Sequence, residues 1–346
     1  MDIYKSLELS EIASFSGSDD VVENLRLGLD LISKAGYKGA EILSDLTELD
    51  NYDFLKNYID TLNSDGKIFE ISLHLPKKFS YIDSNDVFHR ASFNLFDKYN
   101  KEWADESRKF LEGYVRIAES LGVKYLNLHI EGLYKDFLGG GYEATKYEKS
   151  ACDSYWNEID KIVHEMLKSN LEVIEEIAYG TEIPITVENH ELPYHMSSPG
   201  LLKIFEDYPS LNFLFDIGHP LKHLSMLEKG NDWGITEMGD KKRIERCIAE
   251  FGGMTYEQCI KDGGVELLSR FISTKAPFAA HMHQINTIGE DHLPLFRPEG
   301  IISLGHVAEM LFFRGTEVIV IESFEKNDSE EEYLNRIKDE LEIIKG

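Results

Sequence analysis

Eight short apolar segments recur along this chain of 346 residues, and most of them end in a side chain able to bind a metal. His74 lies in ISLHLP and His129 in YLNLHIEG. Glu188 closes ITVEN, Asp216 and His219 lie in FLFDIGH, His281 lies in FAAHMHQ, and Glu322 closes VIVIES. Glu290 and His292 follow in the loop IGEDHLP. Strands that deliver a functional group at the carboxyl end are how a closed parallel (β/α)8 barrel builds an active site. Imidazoles mixed with carboxylates at such a rim point to a borderline divalent ion, zinc first and manganese second.

The segments between the strands read as helices. After Asp19 and Asp20, the positions Val21, Val22, Leu25, Leu29 and Ile32 have helical spacing, and Gly36 stops the run. Helix 102–121 carries Phe110, Leu111, Tyr114, Ile117, Ala118 and Leu121 on one face. Strands are predicted at 5–14, 39–43, 68–75, 123–130, 183–189, 211–217, 277–284 and 317–323, as near-continuous apolar runs of the kind buried on both faces. Helices are predicted at 153–179, 199–206, 263–275, 301–313 and 329–344. Alternation of this kind predicts a parallel sheet, and eight units predict closure. No composition shift marks a second domain. The expectation is therefore an α/β chain forming one TIM barrel over 1–346. Residues 221–262 break the rhythm, being charged and glycine-containing, and read as an insertion after the sixth strand, over one face of the barrel.

Glu188, Asp216, His281 and Glu322 close the fifth to eighth strands. A charged group at the end of an apolar strand is costly unless paired or coordinated. Singly, each would pass for a salt-bridged or capping residue; four in consecutive units point to a shared ligand. His74 and His129 close the third and fourth strands and are placed to share Glu188 with a second metal. Asp216 and His219 form an Asp-x-x-His turn whose side chains face one mouth but reach different ions. Glu290 and His292, one residue apart, point to the same side of an extended loop and with His219 would hold a third ion. Asp291 competes for the role of Glu290. His283, His190, His195 and His223 rank lower, Glu41 and Glu131 read as salt-bridge or substrate-contact residues, and His89, His164 and His306 read as surface or helix residues. Gly139, Gly140 and Gly141 lack the context of a phosphate loop and read as a flexible loop. Phe79, Tyr81, Phe93 and Phe96 read as packing residues after the third strand.

The formal net charge is −27, with 36 basic against 63 acidic residues. Non-specific nucleic-acid binding rests on basic side chains that displace counterions, so duplex DNA is not an expected partner. No apolar run is long enough to span a bilayer, and no signal pattern opens the chain. Cys152, Cys247 and Cys259 are scattered, which fits buried thiols in a reducing cytoplasm.

These residues give the chain its resemblance to the xylose-isomerase-like TIM-barrel superfamily, which joins sugar isomerases and epimerases with the endonuclease IV family. The metal set shared in that superfamily, Glu, Asp, His and Glu on strands five to eight, resembles Glu188, Asp216, His281 and Glu322. The endonuclease IV branch adds histidines like His74, His129 and His219, and an Asp-x-His pair matched imperfectly by Glu290 and His292. The full set implies two or three divalent ions. HMHQINTIG lacks the acid and lysine that follow the seventh-strand histidine in endonuclease IV, and it lacks the arginine several epimerases carry there. The resemblance implies an isomerase or epimerase acting on a small, polyhydroxylated, sugar-like substrate. Glu188 and Glu322 would be ligands and proton carriers, and His219 would orient substrate or hold the extra ion. The alternative it leaves open is a three-metal phosphoester hydrolase.

Overall fold

The computed structural model describes residues 1–43, 46, 52–63, 69–76, 78–93, 95, 101–130, 153–189, 201–229, 245, 248–249, 251–325 and 328–345. Its strands are β1 (Asp2–Leu7), β2 (Gly39–Ile42), β3 (Glu70–His74), β4 (Lys78–Ile82), β5 (Phe88–Ser92), β6 (Leu126–Leu128), β7 (Ile185–Glu188), β8 (Asn212–Asp216), β9 (Ala279–Met282) and β10 (Val318–Ile321). Eight of them close into a barrel in the order β1, β10, β9, β8, β7, β6, β3, β2. Every barrel pairing is parallel. The expected (β/α)8 barrel is the fold.

Period-2 alternation explains where each side chain goes. Leu7, Ile42, Leu73, Leu128, Val187, Phe215, Met282 and Ile321 face outward and join the helices in the main core. The opposite positions point into the barrel. There Tyr4, Tyr125, Leu214, Ala279, Val318 and Val320 form a separate apolar plug. Above the plug the interior turns polar, with Ser72, Asn127, Thr186 and Glu41 all fully buried. The rim above that layer carries the candidate ligands.

The first strand begins earlier than the sequence suggested. β1 ends at Leu7, and Leu9–Ser16 is a helix closed by Gly17 in the left-handed region. Pairing with β10 from Asp2 fixes the register, and Ile12 then buries against the core as a helical residue. Lys5 faces outward yet is fully buried. Its ammonium donates to the Ile321 carbonyl at 3.1 Å and to the Ser323 carbonyl at 2.9 Å, and Glu340 lies at 3.8 Å. A buried charge persists only when paired in this way. Here the pairing ties the first strand to the last strand and to helix Glu330–Lys345.

An antiparallel hairpin, β4 with β5, follows the third barrel strand and was not read from the sequence. The Asp83 carboxylate accepts from the amides of Asn85 and Val87, which makes the turn. Phe79 packs with Trp103 and Met166, and Phe93 is also buried. The insertion after the sixth barrel strand opens with helix Gly218–Glu228 and ends near helix Tyr256–Asp262. Leu221, Leu224, Leu227 and Tyr256 enter the main core. Residues 230–244 within it, together with Glu131, Gly139, Gly140, Gly141, His190, His195, Phe96, Cys152 and Cys247, lie outside the described residues. Among the described residues no helix is long and apolar enough to cross a membrane.

Candidate metal centre

The barrel strands and the segments that directly follow them bring eight of the nine expected ligands into connected groups. Glu188, Asp216, His281 and Glu322 offer ligand atoms that all lie within 4.8 Å of one another, and so do His74, His129 and Glu188. Glu188 belongs to both groups. Its Oε2 lies 3.3 Å from His74 Nε2 and 3.5 Å from His129 Nε2, and its Oε1 lies 3.5 Å from His281 Nδ1. A third group within the same span is His219, Asp291 and His292, and a fourth joins Asp216, His283 and His292.

Local structure aims these groups. Asp216 Oδ1 accepts from the amides of Gly218 and His219 at 2.8 and 2.9 Å, so it holds the start of helix Gly218–Glu228. That is the physical content of the Asp-x-x-His spacing: the carboxylate fixes the turn that presents His219. Asn189, directly after Glu188, donates to the Asp216 carbonyl and accepts from the Asp216 amide, locking β7 to β8 at the rim.

Glu290 is the expected ligand that the structure does not bring to the rim. Its carboxylate accepts instead from Asn286 Nδ2 at 2.6 Å. Side chains alternate only along an extended loop, and His292 departs from that with φ 56. That left-handed step turns the adjacent Asp291 toward the same point as His292, with Asp291 Oδ1 3.3 Å from His292 Nδ1. Lys222 holds the other Asp291 oxygen at 3.0 Å.

Several polar residues supporting the rim were missed or ranked low. Asn127 donates to Glu188 Oε2 at 2.6 Å and is itself held by Thr186. His283 is fully buried, lies 3.1 Å from both oxygens of Asp216, and stacks on His292 with ring centroids 4.3 Å apart. Its Nδ1 lies 2.9 Å from the His292 amide and 3.1 Å from the Gln284 carbonyl, and its Nε2 faces the Asp216 carboxylate. Their signal in the sequence was a polar residue inside an otherwise apolar strand. His223 is buried against Phe251, while His164 and His306 are exposed.

The protonation pattern is that of a buried cluster of acids and imidazoles held close together. Burial works against every charged form here. For Glu188 it is outweighed by His129 and His281, which hold the carboxyl well below its ordinary value. For Glu322 it is outweighed by His281 and His292. For His281 the nearby Glu322, Glu188 and Glu41 outweigh burial and raise the ring well above the ordinary imidazole value. Asp216 and Asp291 are lowered against burial by their histidine neighbours.

The donor set fits a divalent metal. His74 Nδ1 donates to the Leu75 carbonyl and His219 Nδ1 donates to the Asn189 carbonyl, both at 2.8 Å. Carbonyl oxygens only accept, so these contacts fix the tautomer and leave Nε2 of each ring to the cluster. His281 Nδ1 and Glu322 Oε2 lie 2.7 Å apart, yet neither atom makes a hydrogen bond. Two buried donor atoms left side by side without a hydrogen-bond partner suit coordination to a shared cation.

No protein-family model matches the chain, and no curated protein matches it in sequence. Solved structures match it over nearly its whole length. A D-tagatose 3-epimerase-like protein matches at 18% identity and TM-score 0.57, covering 100% of this chain and 98% of that one. A D-psicose 3-epimerase from Clostridium cellulolyticum, solved with D-tagatose, matches at 10% identity and TM-score 0.58, covering 100% and 98%. A protein from Thermus thermophilus, soaked with ZnCl2, matches at 16% identity and TM-score 0.51, covering 98% and 99%. A xylose isomerase domain protein is also among the matches. The chain has the fold of the xylose-isomerase-like TIM barrels.

Proposed function

We propose that the protein is a divalent-metal-dependent isomerase or epimerase of a small sugar or sugar derivative. The observation that carries this reading is the buried group of Glu188, Asp216, His281 and Glu322, with three carboxylates and one imidazole converging at the carboxyl ends of four consecutive barrel strands. The epimerase neighbours, one of them solved with D-tagatose, support the substrate class. Zinc and manganese are the ions this donor set suits best.

A divalent ion in this group would polarise adjacent hydroxyl and carbonyl oxygens of a sugar and stabilise negative charge as a proton leaves carbon. The chain supplies the rest. Glu188 and Glu322 come from strands β7 and β10, with β8 and β9 between them, so their carboxylates approach the centre from different directions. That arrangement suits one carboxylate removing a proton and the other returning one. Asn127 and His74 hold Glu188, which fixes the basic oxygen in place. The apolar plug fills the barrel interior beneath the polar layer that underlies the centre.

A second reading is phosphoester hydrolysis on three ions, and the group of His219, Asp291 and His292 favours it. The balance of 63 acidic to 36 basic residues argues against duplex DNA as its substrate. The deciding experiment incubates the metal-loaded protein with a panel of ketoses in D2O and follows deuterium entering carbon by NMR. Metal-dependent incorporation supports the epimerase reading. Metal-dependent cleavage of a phosphodiester with no incorporation supports the hydrolase.

A further inference from the structure

The structure assigns Glu41 a role that neither the ligand groups nor the comparisons give it: we propose that it is the positioning residue that orients His281 toward the metal centre. The inference rests on the metal-dependent reading above. Glu41 sits on β2, across the barrel interior from β9, and both side chains are fully buried. Glu41 Oε1 lies 2.7 Å from His281 Nε2. Its other oxygen accepts from the hydroxyl of Tyr125, also fully buried. On the far side of the imidazole, His281 Nδ1 faces Glu322 at 2.7 Å, Glu188 at 3.5 Å and Asp216 at 4.0 Å.

The ring nitrogens decide the role. A neutral imidazole has one N–H and one lone pair, and whichever nitrogen donates elsewhere leaves the other to bind metal. His74 and His219 are fixed by backbone carbonyls. His281 lies deeper, and Glu41 takes the place of the carbonyl. A carboxylate there also raises the basicity of the ring, which strengthens the donor. Tyr125 keeps the carboxylate from rotating away. Without Glu41, the buried Nε2 would lose its acceptor and the ring would be free to flip.

The test is cobalt(II) binding to the folded, chelator-stripped protein, followed by calorimetry and by visible absorption, with thermal unfolding of each metal-free variant as a control. Glu41→Ala is expected to weaken the carboxylate-rich site by about 10- to 100-fold and to change its absorption spectrum. Sites holding His74 and His129 should be left within about twofold. Glu41→Gln retains an acceptor for Nε2–H and should recover most of the lost affinity. If Glu41→Ala does not fold, the test passes to Glu41→Gln and Tyr125→Phe, each expected to weaken that site severalfold. A part that merely fills the barrel would lower the unfolding temperature while leaving cobalt affinity and spectrum unchanged, and that result overturns the proposal. A wild-type protein that binds no cobalt overturns the metal reading itself, and the positioning role with it.

Discussion

Replacing Gly218 by alanine tests the packing beneath the rim without replacing a candidate ligand. A Cβ at this position would lie 2.0 Å from His283 Cε1 and 2.8 Å from its Nε2. Ordinary carbon contacts are about 3.5 to 4.0 Å, so about 1.5 Å or more must be absorbed. His283 has no room to yield, being fully buried between Gly218 and the stacked ring of His292. Overpacking of this kind costs about 1–3 kcal/mol. Displacing the His283 hydrogen bond to the Asp216 carboxylate adds about 1.5–3 kcal/mol. At about 2.1 cal/mol/K per residue, the unfolding entropy of the chain is about 0.7 kcal/mol/K. The melting temperature should therefore fall by about 4–8 °C. Gly305 is the control, because nothing lies within 4 Å of its Cβ position. Gly305→Ala should gain about 0.4–1 kcal/mol, a rise of about 1 °C. Calorimetry of the metal-free variants reads both. A Gly218→Ala protein that melts within about 1 °C of wild type would refute the placement of His283 against the start of helix Gly218–Glu228.

Asp291→Asn should remove one ion from the fully loaded protein while Glu290→Gln leaves the count unchanged; elemental analysis after gel filtration checks this, and the reverse outcome would restore Glu290 as the ligand. In chelated protein, the raised His281 contributes stability below about pH 6.5, lost as pH rises through its folded value, and the lowered Glu188 and Glu322 contribute above about pH 4, lost as pH falls. The stability gap between wild type and His281→Gln should therefore be widest between those limits and shrink as pH rises through the raised folded value of His281, as thermal melts would show; a gap that widens toward alkaline pH contradicts the charge assignment. The Cys259 thiol, pushed up to about 12 by burial and then by Asp262, Glu228 and Glu266, should escape iodoacetamide at about pH 8 in native protein and react in urea, as read from its peptide by mass spectrometry.

The barrel was legible because apolar strands and amphipathic helices differ in period, and because a charged residue ending an apolar run stands out. Glu188, Asp216, His281 and Glu322 stood out on that ground, and the structure brings ligand atoms of all four within 4.8 Å of one another. The hairpin β4–β5 was lost because its turn is an Asp83 side-chain motif rather than a glycine signal. Asp291 lost to Glu290 because sequence spacing assumes an extended backbone, which the φ of His292 breaks. Glu41 was read as a salt-bridge or substrate-contact residue and does pair with His281, but neither its partner nor Asn127 was legible, because a polar residue within an apolar strand does not announce its partner. Their partners, His281 and Glu188, are 240 and 61 residues away in the chain.

The central claim is that the rim is a metal centre, and the most direct measurement is metal content per chain. The purified protein, loaded with zinc or manganese and freed of excess ion, is analysed by elemental mass spectrometry alongside Glu188→Gln. A metal centre of this build predicts two or three ions per wild-type chain and a clear loss in the variant, because Glu188 is shared by two ligand groups. Fewer than one ion per wild-type chain after loading would contradict it.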